Sequence, residues 1–439
     1  MHDDALSIPV DAAAAAALSA QGLRMAVVDP GDPAATRAWA EADARGFHDP
    51  ARTDEDFADL SEDFPLQRSV GIYDDGGAEP AMPIATVTSW PAAMTVPGGE
   101  VDTWAISAVT VAPSHRRRGI ARQMLESELR VAVAAGRPLA VLTVSEATIY
   151  RRYGFGPATW STDFTVDVRR AGWLGAPTPG RIQLIGRDAA VEIGRTLLPE
   201  ARRATVGDVE IVGHRFGRLF GAPSDSAEQR KRRFARYEDA DGVVRGLVVY
   251  RVNENPQDFS DLSADVLQLV ATTDDAYRAL WQYLFELDLV GEVKGWLRAV
   301  DEPLRWLVQD SRRIRTTELR EHLWVRVLDP VTALAARSYA GPGRLALRVE
   351  DPLGHADGVF TIDVDADGRA VVAAGEPSEP EGTPLLEVPV DVLGSLYFGG
   401  ASAVALARAG RLAERTSGDA VLADRLLRSP VPPALMTWF

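Results

Sequence analysis

The spacing of apolar residues changes along the chain, and each change predicts a new element. Leu23–Asp29 is apolar and β-branched and runs into Pro30 and Gly31, which predicts a first strand. Asp32 then offers an N-cap, Pro33 a first helical position and Gly46 a stop, which predicts a helix between them. Two further strands are expected in Arg68–Gly77 and Pro83–Ala92, and Val101–Val111 follows as another. Pro113 interrupts that strand, and beyond Gly119 the positions Ile120, Met124, Leu125, Leu129 and Val133 keep helical spacing. Leu139–Ser145 reads as a strand and Glu146–Gly154 as a short helix. Thr159–Val168 is expected to close the unit as its last strand.

The pattern breaks in the Gly- and Pro-rich stretch Arg169–Gly180, giving a first boundary near Arg170. A weaker echo follows, with a strand in Gly242–Val252 and then strand, turn and helix in Ala264–Leu287. Its turn holds Asp274 and Asp275 where the earlier copy has arginines, so the chain reads as an internal duplication whose second copy lost a basic loop. A second boundary is expected near Arg315. The remainder alternates in strand fashion, then turns helical, and ends "PVPPALMTWF". The expected division is an extension over 1–22, domains over 23–170 and 171–315, and a third over 316–439. The fold class is α/β (α+β).

A length of 439 residues is too much for one ordinary core, in agreement with several domains. The net charge of −16 argues against a general nucleic-acid binder or anionic-membrane binder and fits a cationic substrate. The absence of cysteine removes disulfides, thiolate nucleophiles and cysteine-ligated metal. His48, His115, His214, His322 and His355 show no metal-ligand spacing, so no metal is expected. The alanine tract Ala12–Ala17 follows Asp3, Asp4 and Asp11, where a signal peptide needs positive charge. No apolar run approaches a membrane span. A frayed or helical extension on a cytoplasmic protein is expected, with secretion left open.

Against that acidic background Arg116, Arg117 and Arg118 stand together, just before Gly119 and the helical pattern. A strand ending in a turn that opens a helix offers unpaired N–H groups and a helix dipole, which favour an anion. Gly119 and Ala121 leave room for close approach to the backbone, and the arginines add phosphate-matching donors. The stretch from Arg117 through Arg118, Gly119, Ile120 and Ala121 to Arg122 therefore reads as a pyrophosphate cradle. Neither Gly-x-x-x-x-Gly-Lys-Ser/Thr nor a strand-following Gly-x-Gly-x-x-Gly is present.

Arg116-x-x-Gly119-x-Ala121 resembles the Arg/Gln-x-x-Gly-x-Gly/Ala loop of the GCN5-related N-acetyltransferases, in which it holds the pyrophosphate of acetyl-CoA. "TVAPSHRRRGIARQM", "SEATIYRRYGFGPAT", "ALWQYL", "VLGSLYFG" and the terminal "WF" together resemble the enhanced intracellular survival (Eis) acetyltransferases, from about Leu23 to Phe439. The resemblance implies an acetyl-CoA-binding domain, a degenerate acetyltransferase-like copy and a C-terminal domain similar to sterol carrier proteins. It also implies a homohexamer acetylating amines, among them aminoglycosides and lysine or polyamine amines. Val109, Thr110 and Val111 would then face the pantetheine and thioester, with Ser145 and Glu146 on the other side.

Transfer to an amine needs a base for the amine and an acid for the departing sulfur. The resemblance makes Tyr150 the acid, with Tyr153 as competitor; a phenol with pKa near 10 is neutral at pH 7 and can donate. It makes the carboxylate of Phe439 the base, whereas the residue alone could equally plug an apolar pocket. Asp49 matches an acidic substrate contact, and Trp438 stands where a relative has an acid, which would make the pocket more apolar. His115 reads as a turn residue. The rival is a CoA-responsive or lipid-binding protein built on the carrier-like domain. A protein N-acetyltransferase without drug activity is a third reading.

Overall fold

The computed structural model describes residues 6–211, 213–221, 227–377 and 382–439; Asp3 and Asp4 of the extension lie outside them. The extension is helical over Ala12–Ser19. Asp11 caps it, accepting from the Ala14 N–H and pairing with Arg130, and Ala14 and Leu18 are buried.

In chain order the first strands are β1 (Leu23–Val27), β2 (Arg68–Asp74), β3 (Ala85–Val96), β4 (Gly99–Val111), β5 (Leu139–Thr143), β6 (Gly156–Pro157) and β7 (Trp160–Asp167). The central region adds β8 (Arg181–Ile185), β9 (Arg232–Glu238), β10 (Val244–Asn253), β11 (Leu262–Ala271), β12 (Val290–Arg298) and β13 (Ile314–Glu321). After it come β14 (Leu323–Val327), β15 (Gly343–Glu350), β16 (Gly358–Val364), β17 (Ala370–Ala374), β18 (Leu385–Pro389) and β19 (Ala413–Glu414).

These strands form three sheets, ordered β1-β2-β3-β4-β5-β14-β6, β13-β7-β12-β11-β10-β9-β8 and β17-β16-β15-β18-β19. Two strands sit away from their sequence neighbours. β7, expected to close the first unit, instead pairs antiparallel with β12 and β13 in the central sheet. The first sheet takes β14 in return, antiparallel to β5 from Leu323 opposite Thr143 to Val327 opposite Leu139. Arg315 lies inside β13, and the chain passes from the central to the first sheet at His322. The physical reason is that strand alternation specifies which side chains are buried but not which sheet buries them.

The first sheet is covered on both faces. Trp104, Ala140, Leu142 and Trp324 point to one core with Met124, Leu125 and Leu129 of the helix Ile120–Ala134. Ala105, Leu139, Val141, Leu323 and Val325 point to the other, which continues into the C-terminal domain through Leu345, Leu393 and Phe398. The two-residue period is what divides them. Val133, on the helical stripe by spacing, is exposed.

The C-terminal helix Val390–Leu396 lies directly on β6 and β14. A Cβ on Gly156 would stand 1.7 Å from the Asp391 carbonyl oxygen, and one on Gly394 would stand 2.2 Å from that of Val325. The buried Arg326–Asp351 pair (2.6 Å) and the Arg151–Asp391 pair (3.0 Å) tie the same domain to the first.

A chain of residues 1–170 alone would lack β14, leaving the outer edge of β5 and one face of the sheet bare. It should show no cooperative thermal transition by circular dichroism, whereas the full chain should melt cooperatively.

Candidate active site

β4 and β5 pair in parallel only from Thr103 opposite Leu139 to Ala105 opposite Val141, and then diverge. On its other edge β4 follows β3 to Val111, with a register shift between Thr86 and Thr88 and Ala108 at φ 54°. Such a bulge bends its strand. The hydroxyl of Thr86 anchors it by donating to Ala108 O (2.9 Å) and bonding Thr110 Oγ1 (2.7 Å). Thr110 is therefore turned toward β3 and packs under Gly46, where a Cβ would meet it at 2.4 Å. Ala112 donates its N–H to Ile84 O on the β3 side, so alternation turns the N–H of Val111 toward the opening. Val109 and Val111 are half-buried along that wall, and Ser145 and Glu146 are exposed at the end of the β5 wall.

Beyond Val111 a short turn, Pro113–His115, leads into the arginine loop. His115 is a brace: its Nδ1 bonds Ser114 Oγ (2.9 Å) and its Nε2 bonds Asp74 Oδ2 (3.2 Å) at the end of β2. Arg117 (φ 64°) and Gly119 (φ 75°) are both left-handed, which turns successive amides toward one side of the loop. The helix Ile120–Ala134 begins at Gly119 with no side-chain cap and no acid in its first turn. Its first N–H groups are left to a ligand or water. Arg118 donates to Gln21 O (3.0 Å) and Arg122 to Glu126 (2.7 Å), while the guanidiniums of Arg116 and Arg117 have no partner among the described residues. Ile120 anchors the helix in the core, so only its backbone faces the loop, and Ala121 is half-buried.

The central copy closes the equivalent place. Its helix, Asp274–Phe285, is capped by Thr273, whose hydroxyl accepts from the Ala276 N–H (3.2 Å), and its first turn holds Asp274 and Asp275. An anion meets a capped amide and two carboxylates there.

Tyr150 ends the short helix Ala147–Tyr150 beyond the β5 wall and is buried, edge-on to Phe155 at 6.3 Å. Its hydroxyl makes no hydrogen bond among the described residues. Burial pushes the phenol up to about 12, with Glu146 and Tyr153 adding to the rise. Tyr153 is also buried and raised, mainly by burial, but lies beside Arg152, Arg122 and Glu126. Arg151, the residue after Tyr150, is held by Asp391 of the C-terminal domain.

The last residues of the chain run back to this opening. The Ala434 N–H bonds Val206 O (2.8 Å), and Leu435 is buried. His322, at the crossing between β13 and β14, bonds Thr437 O through Nε2 (2.7 Å). Burial pushes His322 down to about 4, so the ring is neutral at pH 7 and Nε2 carries the donated proton. Trp438 is 43% exposed and stacks on the His322 ring at 4.8 Å. Phe439 packs edge-on against Trp90 at 5.6 Å, and its terminal oxygen accepts from the Thr143 hydroxyl at 2.5 Å. The Phe439 oxygen therefore stands at the end of β5, in the wall of the opening.

Charges gather beyond Trp90. Asp49 is exposed past the helix Pro33–Gly46. Asp43, on the same helix, is pushed up to about 6 by burial, against the pull of Arg52 at 3.6 Å and with Asp49 adding to the rise. From the central domain, the short helix His214–Leu219 lays Arg215 over the Trp90 ring (4.1 Å) and pairs it with Gln67 (2.6 Å) and Asp63 (3.5 Å). The sequence reading did not include Asp43, Trp90 or Arg215. Asp43 carried a signal, since it falls on the helix stripe of Thr36, Trp39 and Ala40; Arg215 carried none, because it arrives from another domain. Among the described residues no group of three His, Asp or Glu side chains is placed to hold a metal ion, and no helix is long and apolar enough to cross a membrane.

Known proteins share this arrangement. Residues 28–158 and 217–327 each match an acetyltransferase (GNAT) domain, and residues 330–436 match a sterol carrier protein domain. An uncharacterized N-acetyltransferase of Streptomyces avermitilis is 37% identical over 415 residues, covering 92% of this chain and 97% of the relative. The N-acetyltransferase Eis of Mycobacterium tuberculosis is 34% identical over 354 residues, covering 77% of this chain and 81% of Eis. The crystal structure of Eis1 from Mycobacterium abscessus superposes with a TM-score of 0.78 at 29% identity, covering 95% of this chain and 100% of Eis1. With two GNAT domains, a sterol-carrier-like third domain and relatives matched along most of their length, the chain belongs to the Eis-like family of GCN5-related N-acetyltransferases, and it is an acyltransferase whose GNAT fold implies acetyl-CoA as co-substrate.

Proposed function

We propose that the first domain transfers acetyl from acetyl-CoA to a primary amine by direct attack, with Tyr150 as general acid and the carboxylate of Phe439 as base. The observation that carries this reading is the terminal oxygen of Phe439 on Thr143, in the wall that Tyr150 follows. The arginine loop would receive the pyrophosphate, through the amides after Gly119 and through Arg116 and Arg117, which have no partner among the described residues. Val109 to Val111 and Ser145 to Glu146 would flank the arm.

The amine nitrogen forms a bond to the thioester carbon as the carbon–sulfur bond breaks. The carbonyl oxygen gains charge on the way, and the N–H of Val111, turned into the opening, is the donor placed to stabilise it. The leaving sulfur takes the Tyr150 proton. The attacking nitrogen must lose one, and a carboxylate with pKa near 3.5 is a weak base for an ammonium near 10.4. Phe439 therefore works by favouring the neutral amine in a partly desolvated pocket and by passing the proton through water.

Aminoglycosides, polyamines and lysine peptides form the amine panel for the test, and a homohexamer is the assembly we propose. Tyr150→Phe should lower amine-dependent CoA release by roughly 10²–10⁴-fold. An undiminished rate would remove the tyrosine from the mechanism. Deleting Phe439, or extending the chain by several residues beyond it, should abolish turnover while acetyl-CoA still binds. Full activity in an extended chain would rule out the carboxylate.

The pH dependence follows from Tyr150. A phenol raised from 10 to about 12 keeps its proton as pH rises past the ordinary tyrosine range. The rate should therefore show no alkaline loss between pH 7 and 10 that Tyr150→Phe removes.

A further inference from the structure

The last six residues reach the opening through a small number of anchors. The Ala434 N–H holds the start of the segment on Val206 O (2.8 Å), and Leu435 is buried behind it. At the far end the Phe439 ring packs on Trp90, and the Phe439 oxygen accepts from the Thr143 hydroxyl. Between these points the backbone is fixed at Thr437, whose carbonyl accepts from His322 Nε2 at 2.7 Å. Thr437 is buried, yet its hydroxyl has no partner among the described residues. The carbonyl is what ties this residue down.

His322 holds that contact in a single state. Its own N–H donates to Thr159 O (3.0 Å), and the Leu323 N–H donates to Thr159 Oγ1 (3.0 Å), so the backbone that carries the ring is pinned on both sides. The side chain is fully buried, and Nδ1 has no partner among the described residues. A carbonyl can only accept, so the neutral ring carries its proton on Nε2. The same ring stacks on Trp438 at 4.8 Å. One side chain thus touches two consecutive residues, Thr437 and Trp438, immediately before the terminal carboxylate.

Thr143 holds one oxygen, and a carboxylate held by one hydrogen bond can still pivot about it. With Thr437 fixed two residues earlier, the last peptide units lose that freedom. A single hydrogen bond to a neutral carbonyl adds little to global stability. Moving a reacting group by about 1 Å, by contrast, can cost roughly 10²-fold in rate. His322 should therefore matter more for turnover than for folding.

We infer that His322 is a positioning residue: through the Thr437 carbonyl and the Trp438 ring it fixes where the carboxylate of Phe439 meets the amine. It acts on the reaction only through the tail. The inference rests on the terminal-carboxylate reading above and deepens it, because it names the group that sets the place of the base. It also gives the crossing between β13 and β14 a part in the chemistry.

The test compares His322→Asn with His322→Gln in the full chain, with acetyl-CoA binding as the check that each is folded. The glutamine amide nitrogen reaches about as far from the backbone as Nε2, whereas that of asparagine reaches only as far as Nδ1. His322→Asn should lower kcat for amine-dependent CoA release by roughly 10–10²-fold, with the KM for acetyl-CoA unchanged, and His322→Gln should recover most of the loss. Release of Phe439 by carboxypeptidase A gives a second readout: slow in the unsubstituted protein and in His322→Gln, and faster in His322→Asn. An undiminished kcat in His322→Asn, equal losses in the two variants, or release of Phe439 from the unsubstituted protein as fast as from an unfolded chain would overturn the inference. If deleting Phe439 abolishes turnover while His322→Asn keeps its full kcat, the inference alone falls. If deleting Phe439 leaves turnover unchanged, the terminal-carboxylate reading falls and takes the inference with it.

Discussion

The opening between β4 and β5 depends on what holds β5 from behind. β5 shares three residue pairs with β4 and five with β14. A strand released by one neighbour after three pairs would be expected to fray or to close back, since unpaired backbone groups inside a protein are costly. The antiparallel ladder with β14 keeps β5 straight while β4 bends away at Ala108. The wall that the acetyl group would face is therefore built from a segment almost two hundred residues further along the sequence. The cost of closing that long loop rises only slowly with its length.

The same crossing sets the end of the chain. His322 lies at the step from β13 to β14 and holds Thr437; Leu323 pairs with Thr143, and Thr143 holds Phe439. The C-terminal domain closes the arrangement by placing Val390–Leu396 on β14 and Asp391 on Arg151, next to Tyr150. The proposed acid and base thus belong to different domains, and both are positioned around one five-residue strand. Its alternation serves two cores at once, with Leu323, Val325 and Val327 on one face and Trp324 on the other.

What the sequence made legible was local. The arginine loop could be read because its chemistry is that of a helix start, and Gly119 and the residues beside it lie within one turn. The contrast with Asp274 and Asp275 was legible for the same reason, and so were the family and the three-domain order. The exchange of β7 and β14 was not, because Trp160–Asp167 and Leu323–Val327 alternate acceptably for either sheet. Nor was the charged region beyond Trp90. Asp43 was not singled out although its helix stripe marks it, and Arg215 reaches the first domain from another. Trp438, read as a pocket residue, stacks on the ring of His322 and is 43% exposed.

The central copy shows how a duplicated fold can lose one task and keep others. The cap from Thr273 and the two aspartates at its helix start stabilise that helix while removing the place where a phosphate would sit. Its sheet accepts β7 on the edge of β12, and its connections extend toward the first domain. Residues 207–210 pair with β3, where Thr95 and Asp208 exchange hydrogen bonds, and His214–Leu219 carries Arg215 to Trp90.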